Sequence, residues 1–439
     1  MNLQEFLSKY SINTLQDLTD SIQAKGKELP VSLVYQAAEF LNPNRDTTAA
    51  FYTDTVICEH IMKELPDFEE LDHIRVLEPS VGAGNFIPFI AERYKHKTIL
   101  ELYLVDIDEN ELKIAELIFE TYYREKYPNV AIIYIHDDYL KFPVSGRKFD
   151  LVIGNPPYSK IKDNSLLKEY KKNSSITKSS NLFVLFLEKA MHDGYWVSLV
   201  VPKSILNAPE YAEMRDKLNE NHISSILDFG EYGFKGVKIE TVNVIVTETK
   251  EEDNTHIVSL TQKIDMYQKQ SYITDSKYPV WLLYRNEEFD NFAETLTLGV
   301  FEAFRDRQIV NPMVSSSGKY RVLKSRNIIS NGIINIDGYD AYMDDISELA
   351  VSKYLNKENV VLVPNLTYAP RACFLPKETI ANGSVALLTQ KTDEYVITKD
   401  DLALYATKEF TYYYKIARNY GTRSLNIDNN SVFFFGIRR

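Results

Sequence analysis

The stretch FDLVIGNPPYSK, residues 149–160, begins as an apolar strand and ends in a rigid turn with polar residues. Residues 151–153 are Leu, Val and Ile, and Asn155 stands directly before Pro156 and Pro157. Because proline has no backbone N–H to donate, two prolines in succession cannot continue a strand in the middle of a sheet. The stretch therefore predicts a buried strand whose end is either a plain loop or a turn that holds a ligand.

Further short apolar runs alternate with helical patterns on both sides of this strand. IRVLEP, ILELYLVDID and VAIIYIHDD precede it, and YWVSLVVPKS, ISSILDFG and TVNVIVTETK follow it. Between them stand helical patterns such as ENELKIAELIFETYYREKY, with apolar residues three and four positions apart. Strands that alternate with helices in this way predict an α/β fold with a doubly wound, mostly parallel sheet.

The chain divides by pattern into three parts. Residues 1–45 carry apolar residues at spacings of three and four and predict an N-terminal helical extension. The alternation of strands and helices occupies residues 46–290 and fades at their end. In residues 291–439, short strands and turn sequences such as SSSGK, SNG and IDG predict a C-terminal domain of mixed α+β type.

The charge of the chain is unevenly distributed. The formal net charge of the 439 residues is −12, the wrong sign for a nucleic-acid-binding protein taken as a whole. Residues 296–439 hold 18 of the 50 Lys and Arg residues and 15 of the 62 Asp and Glu residues, which leaves 32 basic against 47 acidic residues before them. The C-terminal part is therefore the mildly basic one, which fits a nucleic-acid-binding face but also an ordinary solvated surface.

Composition also limits the cellular setting. Cys58 and Cys373 are far apart and form no CxxC pair, which predicts a reducing, cytoplasmic location and no structural zinc site. No apolar stretch approaches the ~20 residues that a membrane-spanning helix needs. We therefore expect neither a membrane partner nor a metal.

Four successive predicted strands end in residues suited to holding a ligand. Gly82 and Gly84 follow the first strand, Asp106 ends the second, Asp138 follows the third and Asn155 follows the fourth. Ligands of open parallel sheets bind at the carboxyl ends of strands, where glycine lets the backbone approach and an acidic residue accepts both hydroxyls of a ribose. Each residue alone fits a turn or a solvated loop, but four such ends in succession predict a binding site.

These strand ends carry a resemblance to a known family. LEPSVGAGNF, VDID, DDY and NPPY resemble, in this order, the motifs of gamma-class (Taq-type, type II) S-adenosylmethionine-dependent adenine-N6 DNA methyltransferases. FYTD, NLFVLFLEKAM, GYWVSLVVPKSIL and FGEYGFKGVKIETVNVIV resemble further motifs of that family, although the family usually has proline where Asp54 stands. The resemblance covers residues 51–250 and implies a seven-stranded methyltransferase sheet in residues 46–290, with a target-recognition domain in residues 291–439.

The resemblance implies that the chain binds S-adenosylmethionine at these strand ends. Glu78 and Gly82 would line its methionine moiety, and Asp106 would hold the ribose hydroxyls. Ile107 would pack on its adenine, and Asp138 would accept a hydrogen bond from the exocyclic amine. The full set of cofactor-binding residues implied in this way is Thr53, Glu78, Pro79, Ser80, Gly82, Gly84, Phe86, Asp106, Ile107, Asp138, Tyr139 and Pro157.

The resemblance also gives a reason for two prolines at the end of the fourth strand. The N6 atom of adenine is a poor nucleophile because its lone pair is delocalised into the ring, and its two protons need acceptors. The side-chain carbonyl of Asn155 and the backbone carbonyl of Pro156 would accept them, held in place by the fixed φ of proline. Tyr158 and Phe234, which we prefer over Tyr232, would stack on an adenine extruded from the duplex.

Basic residues in two regions are candidates for DNA contacts. KIKDNSLLKEYKKNSSITK, residues 160–178, follows the proposed catalytic turn and either forms a solvated face or tracks phosphates. KYRVLKSRN, residues 319–327, groups four basic residues in the C-terminal part. The residues that we expect to contact DNA are Lys160, Lys319, Arg321, Lys324, Arg326, Arg371 and Arg423.

Three functions remain open from the sequence. The first is sequence-specific methylation of adenine N6 in double-stranded DNA by a monomeric modification enzyme whose cognate restriction endonuclease is a separate chain, since no PD…(D/E)xK nuclease pattern is evident. The second is methylation of another planar amide or amine, a protein glutamine or an RNA base, because such enzymes also use NPPY. The third is a DNA-binding modification subunit that needs a partner for activity.

Overall fold

The structure is a computed structural model, and the chain forms two compact units in it. It describes residues 1–43, 54–144, 146–233, 239–249, 253–365, 369–392, 394–422 and 426–439. Unit 1 comprises Met1–Ile205 and Glu210–Ser271, and unit 2 comprises Leu206–Pro209 and Tyr272–Arg439. The division into three domains at 1–45, 46–290 and 291–439 stays a prediction, but unit 2 begins earlier than residue 291.

Three helices form the N-terminal part of unit 1. Asn2 and Thr14 each start a helix with a capping box, in which the side chain accepts the backbone N–H three residues later. The apolar faces of these helices bury Phe6 and Leu18 in one cluster with Ile118 of a later helix. The three helices are α1 (Leu3–Tyr10), α2 (Leu15–Lys25) and α3 (Val31–Leu41).

A nine-stranded sheet is the centre of unit 1. Its strand order is β3-β2-β1-β4-β5-β7-β6-β8-β9. β7 runs antiparallel to both of its neighbours and β9 antiparallel to β8, while the remaining neighbours pair in parallel. The strands are β1 (His73–Glu78), β2 (Ile99–Asp106), β3 (Val130–His136), β4 (Phe149–Gly154), β5 (Gly194–Pro202), β6 (His222–Gly230), β7 (Thr241–Thr247), β8 (Thr255–Ser259) and β9 (Ile264–Gln268).

The sheet is larger than the seven strands that the resemblance implied. Thr255–Ser259 pairs in parallel with β6 and turns back as a hairpin into β9, so that two strands extend the expected edge. We missed them because the exposed positions of β9 alternate with only partly buried ones, which weakens the apolar signal of a strand. The expected α/β sheet is thus a larger, mixed sheet.

Helices connect the strands and cover the sheet. Four of them begin at residues whose side chains accept a hydrogen bond from the first turn: Asp54, Asp108, Asp163 and Asn181. These helices are α4 (Thr55–Glu64), α5 (Ile87–Arg93), α6 (Glu109–Tyr122), α7 (Asn164–Tyr170), α8 (Leu182–Asp193), α9 (Ala212–Asn219) and α10 (Gln270–Ile273).

The chain reverses its direction of travel across the sheet between β1 and β4. It moves outward from β1 through β2 to β3, then returns to place β4 on the other side of β1. The register joins Val76 to Leu151 and Leu77 to Val152, so Glu78 and Gly154 end adjacent strands. A crevice at the carboxyl ends of strands is expected at such a switch point.

Unit 2 contains short strands, three helices, of which the first and third pack on each other, and an aromatic cluster. Its sheets have the orders β11-β19-β16-β17, β15-β12-β18, β10-β20 and β13-β14. Its helices are α11 (Glu287–Glu294), α12 (Lys399–Leu404) and α13 (Lys408–Ala417). Its strands are β10 (Leu296–Thr297), β11 (Phe301–Phe304), β12 (Tyr320–Leu323), β13 (Ile328–Ile329), β14 (Gly332–Ile333), β15 (Ala341–Met343), β16 (Val361–Pro364), β17 (Cys373–Phe374), β18 (Thr379–Ala381), β19 (Val385–Gln390) and β20 (Ile437–Arg438).

Residues 272–290 belong to unit 2 because they pack on its C-terminal part. The ring of Phe289 stacks on Tyr413 of α13 with 4.7 Å between centroids, and Tyr278 stacks on Phe434 at 5.8 Å. The backbone N–H of Leu283 donates to the side chain of Asn419. From sequence this stretch reads as one more apolar run of the sheet domain, and only its long-range partners distinguish it. Among the described helices, none combines the length and apolar composition of a membrane span.

Candidate active site

A cavity lies at the carboxyl ends of β1, β2, β3 and β4. Eleven residues that the sequence predicted for the site line it: Glu78, Pro79, Ser80, Gly82, Phe86, Asp106, Ile107, Asp138, Tyr139, Asn155 and Pro157. Residues from four separate strand ends therefore meet in one place. Of the predicted catalytic and cofactor-binding residues that the structure describes, Gly84, Pro156 and Tyr158 do not line the cavity.

Glu78 places a buried acid at the end of β1. Its side chain is nearly inaccessible to solvent, and its Oε2 atom has no hydrogen-bond partner among the residues that the structure describes. Burial, followed by the charge of Asp106, raises the pKa of Glu78 well above its ordinary value. A buried acceptor without a partner costs free energy, so this position favours a ligand that brings a donor or a positive charge.

The glycine loop after β1 is joined to the end of β2. The backbone N–H of Gly82 donates to Asp106 Oδ2 at 2.9 Å, and that of Asp108 donates to Asp106 Oδ1 at 2.9 Å. These two bonds fix the carboxylate, whose remaining lone pairs stay available to a ligand. Burial raises the pKa of Asp106, while the backbone donors oppose the rise.

Glycine is required at two positions of this loop for different structural reasons. Gly82 has φ of +51° and open space where a Cβ would stand, so its backbone borders the cavity. Gly84 has φ of +83°, and a Cβ there would lie 2.5 Å from Cδ1 of Ile87. Gly84 thus serves the packing of the loop on α5 and does not border the cavity.

Asp138 and Tyr139 follow β3. Asp138 Oδ1 accepts the backbone N–H of Leu140 at 3.0 Å, and Oδ2 accepts the hydroxyl of Tyr170 at 2.6 Å. The Tyr139 hydroxyl donates to the buried carboxylate of Asp193 at 3.0 Å, which holds its ring at the cavity wall. Burial and the contact with Asp138 raise the pKa of Tyr170.

The NPPY turn after β4 is held by two hydroxyl groups. Ser80 Oγ donates to the backbone carbonyl of Asn155 at 3.1 Å, which joins the turn to the loop after β1. The Tyr158 hydroxyl lies 2.7 Å from Asn155 Oδ1 and 3.1 Å from the backbone carbonyl of Val200, and its single proton is donated to one of them at a time. The ring of Tyr158 meets Phe183 edge to face, with 6.1 Å between centroids. We expected a role only for the ring of Tyr158, and its hydroxyl contact with Asn155 is an addition.

Three predicted residues lie outside the part of the chain that the structure describes: Thr53, Phe234 and Arg423. The alternative aromatic, Tyr232, is described and is 67% exposed. A buried lysine, Lys203, lies between two acidic residues, Asp228 before residues 234–238 and Glu240 after them. Lys203 Nζ lies 2.7 Å from Asp228 Oδ2 and 3.9 Å from Glu240 Oε1.

Of the lysines predicted to contact DNA, Lys160 and Lys319 are exposed and Lys324 is half-buried. Lys160 forms an exposed ion pair with Glu210 at 2.8 Å, and such pairs contribute little and are readily exchanged. Lys319 is exposed and lies over the ring of Tyr320. In unit 2, the cationic ends of Lys324 and Arg326 lie 4.0 and 4.9 Å from the ring centroid of one tyrosine, Tyr339.

Arg321 and Arg371 have internal partners instead. Arg321 donates to the Asp340 carboxylate and to the backbone carbonyl of Ile334, both at 2.9 Å, and only 13% of its side chain is exposed. Arg371 donates to backbone carbonyls, at 2.6 Å to Ile328 and 3.2 Å to Ser325. These guanidinium groups hold the fold of unit 2 together, so we do not propose them as DNA contacts.

Several residues of the cavity were not found from the sequence. Tyr170 and Phe186 come from α7 and α8, which follow the NPPY turn in the chain, and Glu111 and Asn42 come from α6 and the end of α3. Glu111 accepts a hydrogen bond from Asn42. The only signal for these residues is that their helices lie next to predicted site motifs in the sequence.

Comparison with known proteins relates the chain to methylases. A family model described as Eco57I restriction-modification methylase matches residues 92–234. The chain is 27% identical over 208 residues to the type II methyltransferase M.CvrRI of Paramecium bursaria Chlorella virus XZ-6E, covering 46% of this chain and 49% of that protein. It is 30% identical over 181 residues to the type II methyltransferase M.TthHB8I of Thermus thermophilus, covering 38% of each. The chain spans about half the length of the curated relatives that it matches.

Solved structures share the fold over a longer range. The type IIL restriction-modification enzyme MmeI, solved in complex with DNA, aligns with a TM-score of 0.56 at 13% identity, covering 92% of this chain and 70% of that chain. The DrdV–DNA complex aligns with a TM-score of 0.51 at 14% identity, covering 93% of this chain and 54% of that chain. At this identity the likeness concerns the fold alone.

Similarity to restriction-modification methylases implies S-adenosylmethionine as the cofactor. The residues of the cavity fit it. The unpartnered Oε2 of Glu78 suits the ammonium group of the methionine moiety, and the fixed carboxylate of Asp106 suits a pair of ribose hydroxyls. The open space beside Gly82 admits a ligand against the backbone.

Proposed function

We propose that this chain transfers a methyl group from S-adenosylmethionine to N6 of an adenine extruded from double-stranded DNA, as the modification enzyme of a restriction-modification system. The observation that carries the proposal is the position of Asn155. Its turn borders the same cavity as Glu78 and Asp106, so an amine at Asn155 would stand next to the cofactor. The type II methyltransferase relatives support DNA as the substrate.

The NPPY turn would activate the amine by accepting its protons. When bound, S-adenosylmethionine supplies a methyl group on a cationic sulfur, with a neutral thioether as the leaving group. Asn155 Oδ1 and the backbone carbonyl of Pro156 would each accept a hydrogen bond from N6. As positive charge develops on N6 these hydrogen bonds strengthen, so the turn stabilises the transition state more than the ground state.

Tyr158 adds a second function to the turn. A carbonyl oxygen has two lone pairs, so Asn155 Oδ1 can accept the Tyr158 hydroxyl and the substrate amine together. When the hydroxyl donates to Oδ1, which lies 2.7 Å away, it orients the amide before the base arrives. We therefore assign to Tyr158 both the orientation of Asn155 and, through its ring, contact with the extruded base.

Unit 2 would read the DNA sequence. We propose that Lys319, Lys324 and Arg326 contact DNA there, and that Lys160 contacts a phosphate near the catalytic turn. The enzyme would act as a monomer in the cytoplasm, with its cognate endonuclease as a separate chain. Phe234 stays our choice for the second stacking aromatic, Thr53 for a further cofactor contact, and Arg423 for a further DNA contact.

The test is a comparison of acceptors under one set of conditions. The chain is incubated with S-adenosylmethionine carrying a labelled methyl group and with mixed genomic DNA, total RNA or total protein. We expect label in DNA alone, and sequencing that detects N6-methyladenine should find it at one short recognition sequence. Label in protein or RNA with unlabelled DNA would contradict the proposal in favour of another planar amide or amine.

A further inference from the structure

A lysine-rich segment, residues 159–182, leaves the NPPY turn and returns to it at the start of α8. The backbone N–H of Ile161 donates to the carbonyl of Ser180 at 2.9 Å, and that of Leu182 donates to the carbonyl of Ser159 at 3.0 Å. These bonds close the segment at its base. Between them it carries six lysines and two acidic residues, and α7 forms its central part.

Helix α7 is only partly buried in unit 1. None of its seven residues is fully buried. Two polar contacts connect its end to the loop after β3: Lys141 Nζ lies 3.0 Å from the Glu169 carboxylate, and the Tyr170 hydroxyl donates to Asp138 Oδ2 at 2.6 Å. The ion pair is solvent-exposed and so contributes little. The Tyr170 side chain therefore connects α7 to this loop, through this hydrogen bond and through its ring, whose centroid lies 5.8 Å from Lys141 Nζ.

Tyr170 and Asp138 both line the cavity of the candidate active site. Asp138 Oδ1 is occupied by the backbone N–H of Leu140 and Oδ2 by the Tyr170 hydroxyl. A carboxylate with one donor on each oxygen is fixed in orientation but keeps lone pairs for a third donor. The ligand group that uses this acceptor must therefore meet it in the orientation that Tyr170 sets.

We propose that Tyr170 is a positioning residue of the cofactor pocket, which orients Asp138 toward the 6-amino group of the cofactor's adenine and joins the lysine-rich segment to that pocket. The proposal rests on the proposed function in one respect, the assignment of Asp138 to the adenine. Its consequence is a coupling between sites: a cofactor that favours the ordered pair Tyr170–Asp138 also orders α7, and by reciprocity an ordered α7 raises cofactor affinity.

The first measurement is ligand affinity without DNA. S-adenosylhomocysteine, and an analogue with hydrogen in place of the 6-amino group, are titrated by calorimetry into wild type, Tyr170→Phe and Tyr170→Ala. The control is Tyr272→Phe, which removes a similar hydrogen bond of 2.5 Å to Asp290 in unit 2. We expect Tyr170→Phe to lower the affinity for S-adenosylhomocysteine about tenfold and the affinity for the analogue much less. Only S-adenosylhomocysteine has the 6-amino group that donates to the oriented carboxylate. The control should bind both ligands as wild type does.

The second measurement is hydrogen exchange of the same proteins with and without S-adenosylhomocysteine. In wild type the ligand should slow exchange of residues 164–171, and in Tyr170→Phe this protection should be lost. Unchanged affinity for both ligands together with unchanged protection in Tyr170→Phe would overturn the inference. Failure of the proposed function would be distinguishable, because it would appear as wild-type protein that binds these ligands but methylates no DNA.

Discussion

Asn155 is held on two sides before any substrate is present. Ser80 Oγ donates to its backbone carbonyl, and the Tyr158 hydroxyl lies 2.7 Å from its Oδ1. An acceptor that is already oriented needs no reorganisation when charge develops on the amine, and this is the main source of electrostatic stabilisation in enzymes. The side chain should therefore matter for turnover and little for binding.

Asn155→Ala removes this acceptor and leaves the cofactor residues unchanged. We expect turnover on DNA to fall about a hundredfold or more, with the affinities for cofactor and DNA within a few-fold of wild type. Single-turnover methylation and equilibrium titrations measure the two effects separately. Asn254→Ala, a change of an exposed asparagine, is the control. Near-normal turnover in Asn155→Ala would show that another group positions the amine.

Tyr158 allows its ring and its hydroxyl to be tested separately. Tyr158→Phe loses the contact with Asn155 but keeps the ring, so we expect a loss of about two- to tenfold that is equal on matched and mismatched duplexes. Tyr158→Ala also loses stacking, worth about 1–3 kcal/mol per base, so its larger loss should shrink when the target adenine faces a mismatch. Single-turnover rates on both duplexes decide this. Equal losses on both duplexes for Tyr158→Ala would mean that the ring only shapes the pocket.

At the scale of elements, α3 and α6 meet through an acid that borders the cavity. Glu111 of α6 accepts a hydrogen bond from Asn42 at the end of α3. Burial, and then the charge of Asp106, raise the pKa of Glu111 from 4.5 to about 8, although the bond from Asn42 opposes the rise. At neutral pH this carboxyl is therefore protonated in the folded protein.

This raised pKa predicts a pH dependence of stability. Between pH 4.5 and about 8 the folded state holds the Glu111 proton and the unfolded state does not, so the free energy of unfolding falls as pH rises through this window. Glu111→Gln cannot lose a proton there. Relative to this variant, the Tm of wild type should fall by a few degrees from pH 5 to pH 8. A constant difference between the two Tm values over this range would contradict the assignment.

Elements were predictable where the signal is local. Each of the first four strands is a compact apolar run, and the residue type at its end is visible in the sequence, so Glu78, Asp106, Asp138 and Asn155 could be expected at one edge of the sheet. β8 and β9 were not predicted, because their alternation is short and β9 is only half-buried. Whether such a hairpin joins the sheet depends on pairing with β6, which is a long-range contact.

At the scale of the whole molecule, the contacts that sequence did not reveal join residues far apart in the chain. Tyr170 reaches Asp138 across 32 positions, and Arg371 reaches Ile328 across 43. Composition marked Arg321 and Arg371 as cations that could bind phosphate, but only the fold shows that Arg321 donates to Asp340 and Arg371 to backbone carbonyls. Charge counts in a sequence therefore overestimate the cations free to bind DNA.

The distribution of charge predicts the salt dependence of DNA binding. The chain has a net charge of −12, yet phosphate contacts release counterions, so DNA affinity should still fall steeply with salt. The variant Lys324→Ala with Arg326→Ala should lower the slope of log affinity against log salt by about 2. Binding isotherms at several salt concentrations measure the slope, with Lys9→Ala in α1 as the control. A slope unchanged by the double substitution would show that Lys324 and Arg326 do not contact DNA phosphates.

The central claim is that this chain methylates N6 of adenine in DNA, with the amine bound at the NPPY turn. The most direct measurement identifies the modified base. Duplex DNA is incubated with the chain and S-adenosylmethionine, digested to nucleosides and analysed by mass spectrometry. The account predicts N6-methyldeoxyadenosine with wild type and almost none with Asn155→Ala, although both proteins bind the cofactor. Methylation of cytosine, or equal N6-methyldeoxyadenosine from both proteins, would contradict it.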